Sequence, residues 1–338
     1  MVKTGIIGMG GMGHMHFGVY ADNPDAEVVA LADIEEERLQ PGESTEEINV
    51  GGGSARIDPD KQKLYTDPQE LIADGEVELV DICLPTFLHA DYVIKALQAG
   101  KNVLCEKPMA MNSDECRRMV AAAEAAEGQL MIAQCIRFWP EYVYLKETVE
   151  SGRLGRLLSA DFWRGGPAPD WSWEEWLKDS NRSGGAILDL HVHDVDFVHF
   201  LLGRPQGVCS TGAIGFTGGY DMVNSLYRYE DKVTVHTGAA MGLPPAAGFE
   251  MKFSAAFEKG VLTFTSTESP GLTEFTDAGS VHPDVGDADG YHEEIAYFVK
   301  CIENDVPAST CTPESAAFSI ELTEAEIQSI ESGEMVDL

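Results

Sequence analysis

Gly8-Met9-Gly10-Gly11-Met12-Gly13 follows the apolar run Thr4-Gly5-Ile6-Ile7 and opens a helix-patterned stretch. In a GxGxxG at such a junction each glycine has a mechanical task. Gly8 makes the tight turn, Gly10 lets the backbone approach a pyrophosphate, and Gly13 allows helix and strand to pack closely. The helix that starts at Gly11 and Met12 offers free N–H groups and the positive end of its dipole to phosphates. The hexapeptide alone is a weak signal, and its context strengthens it. Asp33 ends the second apolar run 20 residues after Gly13, with Ile34 beside it, where a carboxylate accepts hydrogen bonds from adenosine ribose hydroxyls. A carboxylate there repels a 2'-phosphate, so NAD is expected and NADP disfavoured. A glycine turn with an unrelated surface aspartate is the alternative, and strand, helix and spacing together count against it.

Short runs rich in Val, Ile and Leu alternate with helix-patterned stretches up to about residue 128, the rhythm of βαβ units and a doubly wound parallel sheet. Strands are predicted at residues 4–7, 27–32, 79–84, 102–105 and 130–134, with helices at 12–23, 68–74, 89–99 and 113–127. Asn112, Ser113 and Asp114 are good N-cap types for the last of these, although Ser113 followed by Cys116 lacks a full capping box. Residues 40–62, with three consecutive glycines and two prolines, break the rhythm and read as a long surface loop. Beyond Glu141 the pattern becomes a helix at 142–151 and then strands between 207 and 275. Alternation in 224–229 and 232–237, split by Glu230-Asp231, reads as an antiparallel hairpin. A chain of 338 residues exceeds the ~250 to 300 at which a single core stops growing. We therefore expect two domains, a Rossmann domain at 1–128 and an α+β domain at 129–338.

Lys plus Arg number 23 against 57 Asp plus Glu, a net charge of −34. Such a chain repels phosphate backbones and anionic lipid, so neither nucleic acid nor membrane is an expected partner. The longest apolar runs are strand-sized, far short of the ~20 residues of a membrane span. The amino terminus enters a strand with no basic segment or cleavage signal, so the cytoplasm is the expected location. Seven cysteines without a CxxC pair fit a reduced compartment and structural core thiols.

Two later constellations carry candidate chemistry. Glu106-Lys107-Pro108 follows a strand, and in a doubly wound sheet the residues just past the strand ends face the ligand crevice. Lys107 is thus a candidate active-site cation, the alternative being a surface lysine. Read as one helix, Asp189, His193 and Asp196 stand at i, i+4 and i+7 on one face, with His191 and His199 pointing elsewhere. A carboxylate one turn from an imidazole can orient the ring for acid–base work; a polar stripe against water or another subunit is the alternative. Asp189, His191, His193, Asp194 and His199 are dense in ligand types, but a helix does not converge them, so no metal site is expected. Trp171, Trp173 and Trp176 could stack on a sugar or simply pack.

Together these residues resemble the glucose-fructose oxidoreductase, inositol dehydrogenase and MocA-type family of sugar and polyol dehydrogenases. The likeness spans nearly the whole chain: GxGxxG with His16, residues 79–89 (LVDICLPTFLH), residues 99–110 (AGKNVLCEKPMA), Arg137-Phe138 with Pro140, the Gly184-Gly185 helix, and Tyr291 with Glu294 and Phe298. The resemblance implies that the second domain carries an open, mainly antiparallel sheet, and that its exposed face pairs subunits into a homodimer or homotetramer. It implies that Lys107 contacts the nicotinamide ribose and the substrate oxygen, that Asp189 and His193 complete a catalytic trio, and that Asp196 lines the substrate pocket. Pro85, Thr86, His89, Glu106 and Gln134 would border the cofactor. The stretch His193-Asp194-Val195-Asp196 is similar to the inositol dehydrogenases, whereas His191 stands where many members carry a small residue. The implied reaction moves hydride between a secondary alcohol of a sugar or polyol and NAD. Its rivals are glycoside cleavage by transient oxidation and a non-catalytic NAD or sugar sensor.

Overall fold

The apolar run before the first glycine becomes the centre of a parallel sheet. In the computed structural model, which describes residues 1–41 and 55–338, β1 (Val2–Ile7), β2 (Ala26–Ala32), β3 (Lys63–Tyr65), β4 (Leu79–Ile82), β5 (Asn102–Glu106) and β6 (Leu130–Ala133) pair in the order β3-β2-β1-β4-β5-β6. Every neighbouring pair is parallel. The strands read as continuous Val/Ile/Leu runs because helices cover both faces. These crossovers include α1 (Gly11–Asp22), α2 (Pro68–Ala73), α3 (Thr86–Gln98) and α4 (Ser113–Ala125). Strand order reverses between β1 and β4, so the crevice of this Rossmann fold opens at their carboxyl ends.

Local chemistry accounts for the differences from expectation. Helix α3 starts at Thr86 rather than 89, directly after its N-cap Pro85. Asn112 caps α4: its side chain accepts the Glu115 N–H at 2.9 Å, while the Glu115 carboxylate accepts the Met111 N–H at 3.1 Å. A reciprocal cap therefore exists, one residue earlier than the Ser113 reading placed it. Of the expected loop at 40–62, residues 42–54 lie outside the described residues, and the short β3 follows it.

The second sheet is built from β7 (Leu157–Pro167), β8 (Gly207–Ile214), β9 (Tyr220–Arg228), β10 (Thr234–Leu243), β11 (Glu250–Phe257), β12 (Gly260–Thr265), β13 (Leu272–Thr276), β14 (Gly279–Val281) and β15 (Val336–Asp337). Its order is β14-β13-β12-β11-β7-β10-β9-β8-β15, antiparallel except where β10 meets β7. The hairpin expected around Glu230-Asp231 is β9–β10, with Arg228 opposite Thr234. Helices α5 (Pro140–Ser151), α6 (Ser180–Ser183), α7 (Ala186–Asp189) and α8 (Val192–Leu202) precede β8, and α9 (Gly290–Glu303) and α10 (Pro313–Ser332) follow β14. Tyr142 of α5 meets Phe197 of α8 edge-on at 4.9 Å, and Phe253 of β11 and Phe264 of β12 at 5.2 and 5.9 Å. Each such pair adds about 0.5–1.5 kcal/mol to simple burial. Strand β9 alternates strictly, Val223, Ser225 and Tyr227 inward and Met222, Asn224, Leu226 and Arg228 outward, so one sheet face is covered and the other open.

The chain divides into two compact units: Met1–Cys135 with Asp170–Trp176 and Tyr291–Ala317, and Ile136–Pro169 with Leu177–Gly290 and Phe318–Leu338. A boundary at residue 128 thus falls ahead of β6, which belongs to the first sheet. The late segment is tied into the first unit by Gln129, whose amide nitrogen donates to the Val306 carbonyl at 3.0 Å and whose oxygen accepts the Ala308 N–H at 2.9 Å. Among the described residues no helix is long and apolar enough to cross a membrane.

A Cβ on residue 13 would stand 1.8 Å from the Gly8 carbonyl oxygen. Gly13→Ala should therefore destabilise the protein by about 1–3 kcal/mol or more, the usual cost of overpacking. Thermal unfolding measures this, and a variant that melts with the parent would contradict the packing described.

Candidate active site

The glycine turn is as tight as the spacing demands. Gly8 sits at φ 93°, and a Cβ there would lie 2.5 Å from the Cys83 carbonyl oxygen. Gly10 is the N-cap of α1, with no side chain of its own to cap the helix. The first-turn N–H groups at Gly11 and Met12 consequently belong to a helix end available to an anion. At the tip of β2, Asp33 accepts the Met9 N–H at 2.7 Å and the Glu35 N–H at 2.8 Å. This carboxylate is held in place beside the turn, and Ile34 next to it is 59% exposed. Two features were not anticipated. Arg38 brings a guanidinium nitrogen within 3.6 Å of Asp33, and the Trp173 indole donates to Glu35 at 3.2 Å. Trp173 is therefore engaged at this end of the first unit.

At the carboxyl end of β5, residues 103–106 and 108–110 are buried and Lys107 alone is partly exposed. The turn is gripped on both sides of it. Upstream, one Glu106 oxygen accepts the Lys107 N–H at 3.0 Å, and the other lies 3.1 Å from His16 Nε2. His16 Nδ1 is 2.8 Å from Asp81. Burial opposes charge on this ring, but Asp81 and Cys83 together outweigh it and hold the His16 pKa well above its ordinary value. Downstream, His89 places Nδ1 2.8 Å from the Pro108 carbonyl and Nε2 2.7 Å from the Leu84 carbonyl. Fully buried, with its pKa lowered by burial, His89 braces the turn. Thr86, first in the helix after β4, and Gln134, just past β6, do show the signature expected of ligand-facing groups. The Thr86 hydroxyl and both polar atoms of the Gln134 carboxamide are buried with no hydrogen-bond partner in the protein, a rare condition in native interiors. With Pro85 and Glu106 alongside, the glycine cradle and these polar atoms fit a dinucleotide laid across the strand ends.

In the second unit, Gly184 and Gly185 adopt φ of 78° and 73°, a conformation that favours glycine. Asp221 anchors the bend: it accepts the Ala186 N–H at 3.3 Å and the Thr217 N–H at 2.8 Å. The single helix read from the sequence is in fact two. The His191 N–H reaches back five residues to the Ala186 carbonyl at 2.8 Å, a π-type bond of the kind that marks functional bends. Asp189 ends α7 and His193 lies in the first turn of α8, so the i, i+4, i+7 face is broken between them. Asp189 is partly exposed and His193 is 9% exposed.

Asp196 does not line a pocket surface. It is fully buried and accepts two hydrogen bonds from Arg137, both at 2.7 Å, and one from Ser319 at 2.7 Å. Burial works to raise its pKa, yet Arg137 and His199 together carry it far below the carboxylate range. His199, expected to point elsewhere, lies 3.6 Å from Asp196 and 3.0 Å from Ser319. Asp194 pairs with buried Arg164 at 3.1 Å, and His191 lies 3.3 Å from Glu326. His199 is the i+3 neighbour of Asp196 on one helix; the other partners do not follow from spacing. Among the described residues, the ligand-type groups that converge do so elsewhere, as His16 with Asp81 and Cys83 and as His16 with Glu106 and Glu294.

Residues 2–134 match the oxidoreductase family with NAD-binding Rossmann fold, and residues 142–263 match the GFO/IDH/MocA C-terminal domain. The chain belongs to the GFO/IDH/MocA family. It is thereby an oxidoreductase with an NAD-binding domain. Within the family, it is 26% identical to inositol 2-dehydrogenase of Rhizobium meliloti (strain 1021) over 97% of each chain. It is 31% identical to myo-inositol 2-dehydrogenase of Thermotoga maritima over 68% of this chain and 65% of that one. A solved levoglucosan dehydrogenase, in complex with NADH and levoglucosan, shares the fold at a TM-score of 0.84 and 20% identity, covering 99% of this chain and 98% of the other.

Asp196→Asn should cost about 3–5 kcal/mol in unfolding free energy, because it strands a buried guanidinium. The lowered Asp196 pKa sets the sign of the pH dependence. The advantage of the parent over the variant is present above the unfolded carboxyl value, about 3.9, and shrinks as pH falls through the folded one. Denaturant titrations at several pH values measure both.

Proposed function

We infer that the protein oxidises a secondary alcohol of an inositol, sugar or related polyol with NAD. The observation that supports this reading is Lys107, partly exposed at the carboxyl end of β5 in a turn whose other residues are buried. The two inositol dehydrogenase relatives favour cyclic polyols. When bound, NAD supplies the electrophilic ring that accepts the hydride. By the likeness to the family, His193 is the group proposed to take a hydroxyl proton, Lys107 the one proposed to stabilise negative charge growing on a substrate oxygen, and Asp189 the third member of the set. Asp33 selects NAD by repelling a 2'-phosphate. The outward apolar side chains of the open sheet face, Leu158, Met222 and Leu226, support a homodimer or homotetramer, which light scattering tests.

A screen of inositols, aldoses, sugar acids and dihydrodiols for NADH absorbance, with NADP in parallel, tests the activity. Lys107→Met and His193→Asn should each lower turnover by about 10²–10⁴-fold. NAD affinity in both should stay within about threefold by calorimetry, since the lost interactions serve the transition state. Undiminished turnover would remove these residues from the mechanism. Asp33→Ser should shift the NADP-to-NAD preference towards NADP by about tenfold, or about 1.4 kcal/mol, read from kcat/KM ratios.

A further inference from the structure

His16 is the motif residue that the reaction leaves without a task, and its surroundings supply one. The ring is fully buried, with one nitrogen on Asp81 of β4 and the other on Glu106 of β5. Carboxylate oxygens only accept, so a ring held between two of them carries a proton on each nitrogen. Glu294 of α9, also fully buried, brings a carboxylate oxygen within 4.8 Å of the facing atoms of His16 and Glu106. Cys83 Sγ stands 3.5 Å from the His16 ring. A single imidazolium is thus enclosed by three carboxyl groups drawn from β4, β5 and α9.

The cluster reaches the active-site lysine through one side chain. Glu106 spends one oxygen on His16 and the other on the Lys107 N–H. His16 in turn rides on α1, the helix whose first turn closes the glycine cradle. Removing the imidazolium releases Glu106 and also deletes a positive charge one side chain away from the lysine backbone. Both changes favour the charged form of the Lys107 amine.

We propose that His16 is a positioning residue: a buried imidazolium that holds Glu106 and thereby fixes the placement and charge environment of Lys107. The proposal rests on the role given to Lys107 above, but its test needs no substrate. The full-length protein is pulse-labelled with an amine-acylating reagent across a pH series, and labelling at Lys107 and at Lys252 is read by peptide mass spectrometry. In His16→Gln the apparent Lys107 pKa should rise by about half a unit, which lowers its labelling rate about threefold at a fixed pH below that pKa. Lys252, on the second sheet, should label as in the parent. Glu106→Gln, which keeps the side-chain shape, serves as the second variant should His16→Gln not fold. It removes a negative charge and should lower the Lys107 pKa, a reversal of sign that general loosening would not produce. Unchanged Lys107 titration in the folded variants, or equal changes at Lys107 and Lys252, would overturn the proposal. Failure of the catalytic reading shows separately, as undiminished turnover in Lys107→Met.

Discussion

The carbonyl oxygen of Gly8 occupies the space that a side chain at residue 13 would need, and the charged groups of the first unit take their positions from that close approach. It seats α1 directly on the tip of β1, which points the first helical turn at the crevice. The same placement brings His16 against β4 and β5, where it meets Asp81 and Glu106. Phosphate recognition and the seating of the lysine turn are thus two outcomes of one backbone contact. Hydrophobic burial holds the sheet together, but this contact decides where its polar machinery points.

In a chain so rich in acid, the few basic groups have an unusual share of interior duties. Arg137 neutralises Asp196 and Arg164 neutralises Asp194, all four buried, while His16 does the same among carboxyl groups in the first unit. A buried ion pair gains little over a well-packed apolar pair and is costly to break. Its effect is to reject alternative packings in which one charge would be stranded. Helix α8 shows this: His193 stands beside Asp194 and three residues before Asp196, and both aspartates are committed to arginines from other elements.

Much of the first sheet was legible because parallel strands covered on both faces leave unbroken Val/Ile/Leu runs, and because the glycine spacing is a mechanical requirement. Strand β3, three residues beyond a long loop, has no such run. The central strand β7 went unread although Leu157, Ala160 and Phe162 face inward; its alternation slips at Leu157-Leu158 and ends in Gly165-Gly166-Pro167, which resembles loop. The site was legible as residue types at strand ends and not as partnerships. Asp196 meets Arg137 from 59 positions away, and His16 meets Asp81 from 65. Helical spacing set Asp196 on one face with Asp189 and His193, and the resemblance put it at a substrate pocket, whereas a guanidinium from another element turned it into a sealed anchor. The π-type bond at His191 likewise arises from the Gly184-Gly185 bend held by Asp221, whose pull no local periodicity records.

The first unit is assembled from three stretches of chain, the last of them Tyr291–Ala317. Chains emerge from the ribosome at roughly 5–20 residues per second, so the nascent Rossmann sheet waits until this later segment is made before Glu294 can reach His16 and Val306 and Ala308 can reach Gln129. Until that segment arrives, His16 and Gln129 stand without these partners.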